Sequence, residues 1–149
     1  MYSRLLKIPQ DFESSILLLG PRGTGKTKWV KDHFNDSVYI DLLEFKAFSE
    51  YSAEPSRIEK LIPKNYKGWI IIDEVQRVPE ILNEVHRLIE HKNYRFMLTG
   101  SSARNLKRKG VNLLAGRALR FHMHPLTVQE LGDDFSIEHG LTLGMLPAT

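Results

Sequence analysis

The stretch that most restricts this chain is residues 16–27, Ile-Leu-Leu-Leu-Gly-Pro-Arg-Gly-Thr-Gly-Lys-Thr, an apolar run that breaks into a glycine-rich turn. From Gly20 the spacing is G-x-x-x-x-G-K-T, formed by Gly20, Pro21, Arg22, Gly23, Thr24, Gly25, Lys26 and Thr27, with Lys28 next. Glycines allow a turn tight enough for successive backbone N–H groups to converge on one anion, with the positive end of a helix behind them. The pattern predicts a strand over 16–19, a phosphate-binding loop and a helix over 26–34. In that setting Lys26 reaches the β- and γ-phosphates of a nucleotide. Thr27 offers its hydroxyl to Mg²⁺, a cation that prefers oxygen ligands and shares them with substrate phosphates.

Four more segments read as strands. Val38-Tyr39-Ile40 ends at Asp41, and Trp69-Ile70-Ile71-Ile72 ends in Asp73-Glu74. Arg95-Phe96-Met97-Leu98 ends in Thr99-Gly100-Ser101-Ser102, and a last strand over 118–124 stops at Pro125. Helices are expected over 42–48, 55–61 and 127–131. Another runs from Pro79 to about Glu90, where Ile81, Leu82, Val85, Leu88 and Ile89 keep helical spacing. Residues 1–15 read as a lead-in outside the sheet. Strands alternating with helices imply right-handed crossovers and a mostly parallel sheet, hence an α/β fold, here a single domain over 1–149. Ligands of such sheets bind at the carboxyl ends of the strands. Three strand ends therefore deliver chemistry to one edge: the loop 20–27, Asp73-Glu74, and the segment 99–101.

At that edge Asp73 is expected to hold magnesium through water. Glu74, leaving the strand on the opposite side, would polarise a water aligned on the γ-phosphate as a general base. Thr99 and Ser101 are candidates for a hydroxyl that senses the γ-phosphate, with a helix N-cap as the alternative for this Ser/Thr-rich turn. Charge on the transferred phosphoryl group is commonly matched by an arginine, in cis or from a neighbouring molecule. Arg117, in Leu-Leu-Ala-Gly-Arg-Ala, is the first choice for it.

The formal charge of +3 is unevenly spread: no acidic residue lies between Glu90 and Glu130, where eight lysines and arginines fall. The basic segment between Arg104 and Arg120 is a candidate DNA-facing surface, set against the simpler reading of a solvated basic face. Cysteine is absent, which removes thiolate metal sites and disulfides. No apolar run is long enough to span a bilayer and no secretory leader is evident, so a cytoplasmic protein without membrane contact is expected. His122 and His124 share a strand face but lack a third ligand in view, and Asp133-Asp134 read as a turn.

The segments Gly-Pro-Arg-Gly-Thr-Gly-Lys-Thr, Ile-Ile-Ile-Asp-Glu-Val-Gln-Arg-Val-Pro, Leu-Thr-Gly-Ser-Ser-Ala-Arg-Asn-Leu, and Leu-Leu-Ala-Gly-Arg-Ala followed by His-Pro-Leu-Thr together resemble one family. It is the ATPase domain of a large prokaryotic AAA-type group whose members carry a further, nuclease-like C-terminal domain. The resemblance covers about residues 14–131. It implies an additional-strand P-loop core of order 5-1-4-3-2, with Walker A and Walker B motifs, that binds ATP and Mg²⁺ and yields ADP. It matches Lys26, Thr27, Asp73 and Glu74 to the nucleotide site and puts Ser101 and Arg117 in other signature segments. A homo-oligomer supplying an arginine in trans is a further expectation. Similar proteins run on past the point where this chain ends at Thr149, so an excised ATPase domain or a natural truncation is expected. ATP hydrolysis is the leading reading; an ATP-gated nucleic-acid or protein-binding switch and a small-molecule kinase are the rivals.

Overall fold

Five parallel strands, β1 (Ser15–Leu19), β2 (Ser37–Asp41), β3 (Trp69–Asp73), β4 (Arg95–Gly100) and β5 (Ala118–His122), form one sheet in the order β2-β3-β4-β1-β5. This is the expected order, 5-1-4-3-2, read from the other edge. The structure is a computed structural model and describes residues 2–9, 11–108 and 114–147.

Alternation along the inner strands splits the core in two. Leu17, Leu19, Ile70, Ile72, Phe96 and Leu98 point to one face, where they pack with Val85 and Leu88 of α4 (Ile81–Lys92). Ile16, Leu18, Trp69, Ile71 and Met97 point to the other, against Trp29 and Val30 of α1 (Lys26–His33). The central strands β1 and β3 are buried throughout, which is why they read as unbroken apolar runs. The edge strand β5 is mostly exposed and correspondingly mixed in composition.

The other helices are α2 (Phe45–Ala53), α3 (Ile58–Leu61), α5 (Ala103–Arg108), α6 (Val128–Leu131) and α7 (Ile137–Leu143). The expected helix over 42–48 starts three residues late. Asp41 closes a turn instead: its carboxylate accepts from Leu43 N at 2.9 Å and its carbonyl from Glu44 N at 3.1 Å. Leu42 drops into the core at that turn, and the helix then runs on to Ala53. The last strand ends at His122 rather than at residue 124. The helix near residue 128 carries a full capping box, with Thr127 and Glu130 each bonding the other's backbone.

The lead-in is fastened in place rather than loose. Arg95 donates to Phe12 O at 3.1 Å and to Lys67 O at 2.7 Å, and lies 4.8 Å over the Trp69 ring. Leu5 N donates to Glu130 Oε1 at 2.8 Å, and the Arg4 guanidinium sits 3.3 Å from the same carboxylate while bonding His124 O. Burial works against ionising Glu130, but the N–H groups of Leu5 and Thr127 and the charge of Arg4 together hold its carboxyl below the usual range.

Candidate functional site

Strand alternation decides what can meet at the carboxyl edge. Asp73 shares parity with Trp69 and Ile71, so it faces α1. Asp41 of β2 pairs with Asp73 and Ile72 of β3 with Leu98 of β4, so Tyr39, Asp73 and Thr99 all lie on the α1 side. Thr27, in the first turn of α1, completes the group. Thr27 Oγ1 donates to Asp73 Oδ2 at 2.7 Å, the Tyr39 hydroxyl donates to the same oxygen at 2.6 Å, and Thr99 Oγ1 donates to Asp73 Oδ1. Asp73 is 1% exposed and Thr99 fully buried. Burial first, then the bond to Asp73, pushes the Tyr39 phenol well above its ordinary value, so it remains a donor.

The phosphate loop has the expected backbone. Gly23 and Gly25 stand at φ +81° and +85°, in the left-handed region, and Gly25 precedes the first turn of α1. Thr24 Oγ1 closes the loop onto Pro21 O at 2.8 Å. Lys26, 4% exposed, folds back so that its ammonium donates to Gly20 O at 2.6 Å and Pro21 O at 2.9 Å. Burial pushes Lys26 below its ordinary value, against the opposing pull of Glu74 and Asp73, while Arg22 adds to the lowering. Arg22 itself is exposed at the loop tip, and Lys28 pairs with Asp32 at 3.4 Å on the outer face of α1.

Glu74 does not follow the alternation expected of it. The strand ends at Asp73, and Glu74 turns into the left-handed region at φ +63°, its N–H donating to Thr99 Oγ1 at 2.9 Å. Its carboxylate accepts from the Gln76 side-chain amide. Glu74 still lines the same cavity of about 1060 Å³ as Gly23 to Lys28, and Tyr2, Arg4, Leu126 and Pro147 line it too. The lead-in, which carries no functional signal in its sequence, therefore borders the site.

Of the two hydroxyl candidates, Thr99 is the one joined to the site. Ser101 is half-buried just past β4, and the helix-cap role falls to Ser102, whose Oγ accepts from Asn105 N at 3.2 Å. Arg117 stands beside Ala118, which pairs with Ser15 at the start of β1, so it lies at the amino edge of the sheet, bonded to Glu90. The length of β1, about 13 Å at strand rise, separates that edge from the loop. The structure does not bring Arg117 to the site within one chain.

The basic stretch is divided in use. Lys92, Arg104, Lys107 and Arg120 are exposed, whereas Arg95 and Arg117 are engaged by their own chain, and Lys109 and the side chain of Arg108 lie outside the described residues. The rings of His122 and His124 stack 6.2 Å apart, and among the described residues no group of three or more His, Cys, Asp or Glu is placed to hold a metal. No described helix is long and apolar enough to cross a membrane.

Tyr39 carries no functional signal in the sequence, being one polar residue in an apolar segment whose place is fixed only by register. Gln76, by contrast, lies in a segment that carries the family resemblance, and its place beside Glu74 is fixed by the turn there.

Residues 13–132 match the family described as AAA domain. Two uncharacterized proteins, one of Mycobacterium bovis and one of Mycobacterium tuberculosis, are each 28% identical over 137 residues, a match covering 89% of this chain and 30% of the relative. The chain thus spans 30% of the length of these curated relatives. A katanin structure concerned with self-assembly is similar at TM-score 0.55 and 15% identity, over 78% of this chain and 42% of that one. The Aeropyrum pernix ORC1 protein in complex with DNA gives TM-score 0.49 and 19% identity, over 80% and 42%. The katanin likeness is one of fold. With the family match spanning most of its length and the sheet order in agreement, the chain belongs to the AAA domain family of ATP-binding P-loop proteins.

Proposed function

We propose that this chain hydrolyses ATP with Mg²⁺ at the carboxyl edge of β1, β3 and β4. The observation that carries the reading is the 2.7 Å bond between Thr27 and Asp73, made beside a buried lysine already folded onto the phosphate loop. A hydroxyl and a carboxylate side by side are the hard oxygen donors that magnesium prefers, so the residues present fit that cation. Thr27 and Asp73 would hold it, and when bound it would neutralise charge on the phosphate oxygens. Lys26 would exchange the carbonyls of Gly20 and Pro21 for phosphate oxygens. Glu74 would take the proton of the water whose oxygen bonds the γ-phosphorus as the bridging oxygen to the β-phosphate leaves with ADP.

The test is phosphate release from ATP and Mg²⁺ with no acceptor present, measured alongside ATP binding. Lys26→Ala should weaken ATP binding by about 10- to 100-fold, the value of a lost charge-assisted hydrogen bond, and release should fall with it. Release by the unaltered chain would also count against a kinase. ATP binding without release at any chain concentration would sink the hydrolase reading and leave the ATP-gated switch.

The arginine that completes the site is assigned to a second copy. Arg117 lies at the amino edge of its own sheet, where it can face a neighbour's cavity, and self-assembly is the subject of the katanin structure that shares this fold. Turnover per chain should rise with concentration. Arg117→Ala should lower it by about 10³-fold at unchanged ATP affinity. Mixing Arg117→Ala with Lys26→Ala chains should restore part of the activity, because each copy supplies what the other lacks. Turnover independent of concentration, with Arg117→Ala as active as the parent, would end this assignment.

A further inference from the structure

Asp73 is held by two hydroxyls that the phosphate-loop pattern does not call for, those of Thr99 and Tyr39. Tyr39 sits in the middle of the edge strand β2, paired with Ile71, and packs with the α1-side core while Lys31 lies 5.0 Å from its ring centroid. That placement brings the phenol to Asp73 Oδ2 at 2.6 Å, on the same oxygen that Thr27 bonds at 2.7 Å. Thr99 occupies Oδ1. An ionised carboxylate has about four acceptor sites, so three hydroxyls leave about one. A carboxylate with one free acceptor site has one direction in which to receive a water from a cation's shell.

We propose that Tyr39 is a positioning residue of the magnesium site, its hydroxyl fixing the rotation of Asp73 so that the remaining acceptor site stays aimed at the cation's water. The inference rests on the ATPase reading of the site. Without the phenol, Asp73 keeps Thr27 on Oδ2 and Thr99 on Oδ1, but a second acceptor site opens on Oδ2, so the carboxylate has two directions in which to receive water instead of one. Partners that orient a metal's ligands commonly contribute 10- to 100-fold to metal affinity. A neutral hydroxyl at the outer sphere belongs at the low end of that range.

Tyr39→Phe keeps the ring, its packing and the lysine above it, and removes only the hydroxyl. ATP affinity measured by calorimetry in excess EDTA, then across a Mg²⁺ titration, separates the two roles the residue can have. A positioning role predicts that Mg²⁺-free affinity stays within about twofold while the Mg²⁺ concentration needed for half of the metal-dependent gain rises about tenfold. Raising Mg²⁺ further should recover the parent's affinity. A parallel fall of the Mg²⁺-free and Mg²⁺-bound affinities would make Tyr39 merely structural, and an unchanged Mg²⁺ midpoint would overturn the proposal outright. If the unaltered chain binds ATP with no metal-dependent gain, the ATPase reading itself fails and this assignment goes with it. The EDTA arm tells that case apart, since only there does the parent lack the gain.

Discussion

Glu74→Gln is expected to leave ATP affinity within about twofold and to lower phosphate release by about 10²- to 10⁴-fold, the usual contribution of a positioned general base. The two side chains have the same shape, and the conformation that aims residue 74 is set by the backbone. That residue holds φ +63° because its N–H is tied to Thr99 Oγ1, which is itself bonded to Asp73. The substituted side chain therefore occupies the same cavity as Lys26 but loses the negative charge there, and an amide cannot take a proton from water. Equilibrium ATP binding and single-turnover phosphate release, measured on the same preparation, check both halves. Release at the parent's rate would remove Glu74 from the chemistry. A collapse of binding would show that its charge serves the fold of the loop instead.

The sheet is legible in the sequence because its signals are local. Apolar runs buried on both faces mark β1, β3 and β4, and glycine spacing places the loop; strand order follows from the family resemblance and is what the structure has. The start of α2 is not legible, because the Asp41 side chain makes a turn that competes with helix, and periodicity does not register such a bond. Tyr39 and Thr99 reach Asp73 through register, which links residues far apart in sequence. Once the pairing of β2, β3 and β4 is known, parity alone puts all three on the α1 face. Arg117 follows a glycine and just precedes the last strand, and in a parallel sheet that second feature already puts it at the amino edge, away from the carboxyl ends where ligands bind. The left-handed turn at Glu74 is likewise silent in the sequence, since non-glycine residues seldom adopt it and glutamate carries no mark for it.

Gly20→Ala is expected to destabilise the fold by about 3 kcal/mol and to abolish tight ATP binding, a large effect for one methyl group. Gly20 follows the last residue of β1, wedged between two strands: its N–H bonds Gly100 O at 3.1 Å, and the adjoining Leu19 carbonyl accepts from Met123 N at 2.7 Å. A Cβ at this position would lie far inside van der Waals contact of Met123 O, a backbone atom that cannot swing aside as a side-chain tip can. Relief requires moving the end of β5 away from β1, which breaks the bond to Leu19, or shifting the loop, which displaces the carbonyls of Gly20 and Pro21 that hold Lys26. Gly116→Ala is the informative contrast. Gly116 stands at φ +81° with nothing among the described residues within 4 Å of the place an added methyl would take, so the cost expected there is left-handed strain, about 1–2 kcal/mol. Urea unfolding of the two variants against the parent measures the difference. If Gly20→Ala cost no more than Gly116→Ala and still bound ATP, the close passage of β5 against the phosphate loop would not be a constraint on the site. The larger loss would mean that β5, an edge strand with no catalytic residue of its own in this chain's cavity, sets the position of the loop that receives the phosphates.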